Sequence, residues 1–360
     1  MTEFLYLLFA FLPLTVCLVW LAVYVAEFRS SNRPKRFLTL FALFCALLYF
    51  CHAWFFVEEN SGFGVLDAVY IFCNLSVYPL YYGYIMILTK DRPARGMTIL
   101  LLLPALVLSA AVFLTGGSHA TILLAKAGFA IEVALVAIFG FKALGRFNKD
   151  VRNYYSDTEG KTLNGISTLL LCFILIALLS TMANIVGREA FRHSLLLGVP
   201  SLTFSALLFG IFYMGSRISF WVRDFRAEVQ EDDEASSFHG VDQEEALLET
   251  RIAAAMDERR MFLIPGLKIS DVAAAIGSNR TYVSNAINNA GGMSFSDYVN
   301  SRRIEFAKKL LSAGAEKGDQ ILKNTAAESG FASFPSFYRA FVKHTGMSPS
   351  EWLKRQSRTI

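Results

Sequence analysis

Arg280, Thr281, Ser284 and Asn285 lie within six residues, at a spacing that puts all four on one face of a helix. A cation, two hydroxyls and a carboxamide do not make a nucleophile–base pair. They suit phosphate oxygens and base edges: Arg and the hydroxyls bind phosphates, and the Asn amide can pair bidentately with adenine. Glu132 stands apart, about eleven residues into a long apolar run. A carboxylate at that depth of a bilayer is costly, so it is expected to face a bundle interior. There it is either a signal-sensing group or one side of an interhelical hydrogen bond. The sequence has no kinase signature, phosphate-binding loop or metal-binding histidine pair, so neither an enzyme nor a cofactor is expected. Its five cysteines (Cys17, Cys45, Cys51, Cys73 and Cys172) sit in apolar runs without paired spacing, which fits buried thiols better than disulfides or a zinc site.

The residues around the polar quartet read as a helix–turn–helix. Ile269, Val272, Ala273 and Ile276 recur at i, i+3, i+4 and i+7, one buried stripe, with Ser270 as the expected N-cap. Gly277 supplies a turn in which positive φ is free of Cβ strain. Asn279 then caps a second helix, Arg280–Asn288, whose Tyr282, Val283 and Ile287 are expected to pack inward.

The pattern repeats. Gly292-Met293-Ser294-Phe295-Ser296-Asp297-Tyr298 is echoed by Gly346-Met347-Ser348-Pro349-Ser350-Glu351-Trp352, each with a capping Ser and an acid three residues on. A second helix pair, Ile321–Ser329 and Phe334–Lys343, precedes the second copy. Between the pairs runs a long helix, Phe295–Leu311, with Ile304, Ala307 and Leu311 inside and Arg302, Arg303, Lys308 and Lys309 adding positive charge. Two such units on one rigid helix can enter successive major-groove segments, about 34 Å apart.

These residues resemble the AraC/XylS-type transcription regulators over about Glu244–Arg355. The resemblance is carried by Ile269-Ser270-Asp271-Val272-Ala273, Asn279-Arg280-Thr281-Tyr282-Val283-Ser284, Arg303-Ile304-Glu305-Phe306-Ala307, Gly330-Phe331, Phe337-Tyr338-Arg339-Ala340-Phe341 and Gly346-Met347-Ser348-Pro349. It implies seven helices, two helix–turn–helix units and binding to double-stranded DNA, usually as a homodimer. It also implies DNA contacts by Thr281, Ser284 and Asn285 in the first unit and by Ser336 and Arg339 in the second. Thr325, Phe334-Pro335 and Val342 depart from the pattern, so the second unit is expected to position more than it reads.

The rest of the chain is of another kind. The 360 residues are 54% hydrophobic and 18% charged, whereas soluble domains run near 45–50% and about 25%. The excess lies before residue 227. Seven apolar runs there (Phe4–Val25, Phe37–Val57, Val65–Leu88, Met97–Leu114, Thr121–Leu144, Leu163–Val186 and Ser194–Met214) are each near the ~20 residues needed to cross a bilayer. Fourteen Lys and Arg follow the odd-numbered runs: Arg29, Arg33, Lys35 and Arg36; Lys90, Arg92 and Arg95; Arg146, Lys149, Arg152 and Lys161; Arg217, Arg223 and Arg226. The opposite loops hold only Arg188 and Arg192. By the positive-inside rule the N-terminus faces outward and the C-terminal half faces the cytoplasm.

Ala227–Thr250 holds nine acids and no Lys or Arg. Within it Glu228–Gly240, with Glu231-Asp232-Asp233-Glu234, reads as a solvated linker, although that acidic run could also mimic DNA and restrain a basic domain. Pro265–Ile360 holds thirteen basic and seven acidic residues, a balance suited to phosphates. The expected architecture is all-α: a seven-helix transmembrane sensor bundle over 1–226, an acidic linker over 227–243, and a DNA-binding domain with two helix–turn–helix motifs over 244–360. The expected function is that of a one-component transcription regulator in a bacterial inner membrane. Its partners would be DNA, the lipid bilayer and a small-molecule or membrane signal. The alternative is a transporter whose cytoplasmic domain regulates flux without binding DNA.

Overall fold

The computed structural model describes residues 2–28, 33–57, 63–90, 96–186, 194–236, 245–313 and 319–359. Arg29, Arg92, Arg95, Arg188, Arg192 and residues 237–243 of the expected linker lie outside them. The described residues are all-helical, with one isolated bridge and no strand. They fall into two compact units: Met1–Arg146 with Leu163–Asp224, and Phe147–Thr162 with Phe225–Ile360.

The first unit is built from α1 (Thr2–Ala26), α2 (Arg33–Val57), α3 (Val65–Thr89), α4 (Met97–Leu114), the first part of α5 (His119–Tyr154), α6 (Asn164–Val186) and the first part of α7 (Gly198–Ser236). One helix therefore stands at each apolar run. Five of them contain stretches long and apolar enough to cross a membrane; the apolar stretches in α4 and α6, Ile99–Leu114 and Asn164–Leu178, are shorter. Aromatic rings fill the interior: Tyr78 stacks on Phe173 at 4.3 Å, and Phe41 contacts Tyr81, Phe173 and Phe212. Tyr24 donates to the Phe212 carbonyl at 2.6 Å, an interhelical bond. The outward faces are apolar, with Ile99, Leu100 and Leu114 of α4 and Ile131 and Ile138 of α5 all exposed. Lys35 is not a free loop cation, because it is buried against the Glu27 carboxylate.

Two helices outrun their apolar segments. α5 continues ten residues past Leu144, because Leu144, Phe147, Val151 and Tyr154 form a buried i, i+3, i+7, i+10 stripe. There the helix changes from apolar all round to amphipathic, and hydropathy registers only the first part. Phe147 and Tyr154 contact the Phe225 ring of α7 at 5.6 Å each. α7 runs on through Ser236, so Glu231–Glu234 is helical and not an extended linker.

The second unit holds seven further helices: α8 (Glu245–Asp257), α9 (Ile269–Ile276), α10 (Arg280–Gly291), α11 (Phe295–Ala313), α12 (Asp319–Glu328), α13 (Phe334–Thr345) and α14 (Pro349–Thr359). Their apolar stripes close two small cores. Val272, Ala273, Ile276, Val283, Ala286 and Ile287 are buried, as are Leu248, Ile252 and Met256 of α8, which packs on both α9 and α10. Ile304, Ala307 and Leu311 of α11 pack with Ile321, Leu322, Ala326, Phe337 and Phe341. Residues 147–162 belong to this unit, although they lie between α5 and α6 in the chain.

Three expectations are corrected here. Ser270 is inside α9 and does not cap it; the Asp271 carboxylate accepts from the Lys268 N–H at 2.8 Å, and the N-cap is Lys268, two residues earlier. Tyr282 points to solvent, because Ala286 completes the buried turn with Val283 and Ile287. Arg303 adds no surface charge: it is 0% exposed.

Candidate nucleic-acid interface

Both helix–turn–helix units are held by side-chain caps. Asn279 Oδ1 accepts from the Tyr282 N–H at 2.9 Å, which satisfies one orphan donor and starts α10. Gly277 ends α9 at φ +63°, turning the chain into that cap. In the second unit Ser333 Oγ accepts from the Ser336 N–H at 3.2 Å and Phe334 and Pro335 begin α13. The repeated caps are also present. Ser294 Oγ accepts from the Asp297 N–H at 3.2 Å, and Ser348 and Glu351 form a reciprocal box at 3.2 and 2.9 Å.

The first unit's quartet lies along the outward face of α10. Thr281 and Asn285 are exposed, whereas Arg280 and Ser284 are half-buried. Ser284 Oγ takes a hydrogen bond from Asn288 Nδ2 at 3.1 Å, and Asn285 projects beside it, more than one turn in from the cap. Tyr282, 44% exposed beside Thr281, adds an aromatic group able to stack or to contact phosphate.

The second unit brings Ser336 and Arg339 together, one turn apart on α13, with the apolar Phe337, Ala340 and Phe341 on the opposite face. They meet two carboxylates that the sequence did not connect with them. Ser336 Oγ donates to Glu159 Oε2 at 2.8 Å and lies 3.1 Å from Asp157 Oδ1. Arg339 pairs with Glu159 Oε1 at 3.0 Å, and the Ser333 hydroxyl also donates to Glu159. The hydrogen bonds from Ser333, Ser336 and Arg339 hold the Glu159 carboxyl down at about 2.

The chain leading to these acids is anchored through its backbone. Tyr155 bridges antiparallel to Lys268, and the Ser156 N–H donates to the Leu267 carbonyl at 2.9 Å. The Ser156 carbonyl accepts from Ser296 Oγ at 2.9 Å and Asn300 Nδ2 at 3.3 Å. Glu228 of α7 accepts from Tyr155 and Lys268, and this contact raises the Lys268 ammonium above its ordinary value. Arg303 ties the framework together. Its Nε donates to the Phe262 carbonyl at 2.6 Å, and Nη2 donates to Ile264 at 2.7 Å and to Ser156 Oγ at 3.4 Å. Burial lowers its guanidinium to about 10, so it remains charged at neutral pH.

In the helical bundle, both carboxylate oxygens of Glu132 are out of solvent contact with no hydrogen-bond partner among the described residues. Near it lies a cavity of about 60 Å³ whose polar lining includes Tyr49, His52, Asn74, Tyr78 and Ser180. Phe129, just under one turn before Glu132, lines this cavity; Glu132 does not.

Residues 272–355 match a family model described as a helix-turn-helix domain. Over 85 residues the chain is 36% identical to the uncharacterized HTH-type transcriptional regulator YijO of Escherichia coli strain K12, covering 23% of this chain and 28% of that protein. Over 88 residues it is 31% identical to the melibiose operon regulatory protein of the same strain, covering 24% and 28%. The chain thus spans less than a third of the length of these relatives. No solved structure matches significantly. The C-terminal segment of this chain is a helix-turn-helix domain of the AraC/XylS type, similar to part of these bacterial regulators.

Proposed function

We propose that the chain is a membrane-embedded one-component transcription regulator. In this reading the seven helices of residues 1–226 span a bacterial cytoplasmic membrane with the N-terminus outside. Residues 244–360 bind double-stranded DNA in the cytoplasm. The observation that carries the DNA-binding half is the polar outward face of α10, held by an Asn279 cap within a domain of the matched family. The apolar outward faces of α4 and α5 support the membrane half, because such a surface in water would be an aggregation site.

The two kinds of DNA contact separate by mutation. Arg280 stands in the first turn of α10, where a cation meets backbone phosphate. Arg280→Ala is expected to weaken binding to all sequences and to reduce the salt slope by roughly one unit. Asn285→Ala is expected to lose about 1–3 kcal/mol on the preferred site and to relax preference at one base pair. Selection of DNA sites by the full-length protein in nanodiscs, with each variant, tests this. An unchanged sequence preference for Asn285→Ala would contradict direct readout.

Glu132 is the proposed sensing residue. An unpartnered carboxylate inside the bundle has an energy that depends steeply on local hydration and charge, so two bundle states can differ in how well they hold it. Glu132→Gln is expected to lock target-gene expression near one extreme while membrane abundance stays normal. A normal induction ratio at normal abundance would remove Glu132 from the sensing role.

A further inference from the structure

We propose that the segment Ser156–Glu159, between α5 and α6, is an autoinhibitory plug that occupies the DNA-contacting side chains of the second helix–turn–helix unit. This rests on the DNA-binding reading of Ser336 and Arg339 given above. Glu159 presents two carboxylate oxygens to a guanidinium and two hydroxyls: Arg339, Ser336 and Ser333. That donor set is the one a backbone phosphate takes from a recognition helix. Asp157 adds a second negative charge 3.1 Å from the Ser336 hydroxyl, and its Oδ1 also accepts from the Glu159 N–H at 3.1 Å, which fixes the turn between them. A phosphate and the Glu159 carboxylate cannot use the same donors at once, and the two charges repel each other. While the plug is seated, α13 cannot engage DNA.

The seating is specific. The Tyr155–Lys268 bridge and the bonds of Ser156 to Leu267, Ser296, Asn300 and Arg303 set the register of the turn, so that Glu159 arrives over Ser333, Ser336 and Arg339. In the first unit, by contrast, Thr281 and Asn285 are exposed. The device therefore restrains one of two units and leaves the other able to find DNA. It also has a tether: α5 runs unbroken from His119 to Tyr154, so the helix that carries Glu132 ends directly at the plug.

DNA affinity of the full-length protein in nanodiscs, measured on a selected site without an inducing condition, tests the proposal. Glu159→Ala is expected to tighten binding about three- to tenfold, the range for partly exposed charge-assisted contacts. Glu328→Gln removes one exposed negative charge from the same unit and is expected to change affinity less than twofold. In an Arg339→Ala background the gain from Glu159→Ala should shrink, because one of the plug's three partners has gone while the Ser333 and Ser336 hydroxyls remain. Hydrogen exchange should show 155–161 loosened in Glu159→Ala with α12 and α13 still protected, which separates release of the plug from unfolding. DNA binding by wild type with no gain in Glu159→Ala, an equal gain in Glu328→Gln, or a gain undiminished without Arg339 would each overturn the plug alone. Failure of every variant to bind DNA at any salt would overturn both the plug and the DNA-binding reading.

Discussion

Arg303→Ala is expected to destabilise the C-terminal unit by about 3–5 kcal/mol, a large part of the stability of a domain this size. Arg303 is wholly buried, and its guanidinium serves the carbonyls of Phe262 and Ile264. Truncation leaves both acceptors without their donor and opens a cavity beside the Phe331 ring, which the guanidinium faces at 5.4 Å. Arg303→Lys keeps the charge, but one ammonium cannot reproduce the fork, so it is expected to fall between the two. Hydrogen exchange of α8–α14 peptides in the full-length protein measures the loss. Protection equal to wild type in Arg303→Ala would contradict the pinning role.

Gly330→Ala is expected to cost about 2–5 kcal/mol for two independent reasons. Gly330 has φ +80°, which an L side chain rarely adopts, and a Cβ there would lie 2.6 Å from the Leu263 carbonyl oxygen and 2.8 Å from its Cα. The obstacle is backbone and cannot rotate away. Gly277→Ala is the comparison. It shares the positive φ, at +63°, but its Cβ would meet only an Arg251 side-chain nitrogen at 3.7 Å. It should cost about 1–2 kcal/mol. Equal losses in the two variants, read by the same exchange experiment, would show that the contact with Leu263 is not tight.

The sequence revealed what has a period or a cap. Apolar runs near twenty residues located α1–α7, and the stripe Ile269–Ile276 with Gly277 and Asn279 located the first helix–turn–helix. Arg303 was misread from its residue type, although the signal was there: it lies four residues before Ala307, on the buried stripe of α11. The role of residues 147–162 left no such trace. Their contacts join positions as far apart as Glu159 and Arg339, and several run through backbone groups of Tyr155 and Ser156, which any side chain could carry. The orphaned carboxylate of Glu132 was half legible. Its depth in an apolar run was plain, but whether a neighbouring helix offers a donor depends on packing that no local pattern encodes.

Whether one chain both sits in a membrane and reads DNA is open to direct measurement. Crosslinking in intact cells, purification of the membrane fraction, recovery of the full-length protein and sequencing of the attached DNA test it most directly. The expected result is a small set of fragments sharing a motif, enriched with wild type and lost when Arg280 and Asn285 are both replaced by Ala. Abundant protein in the membrane fraction with no fragment enriched over that double variant would contradict the account.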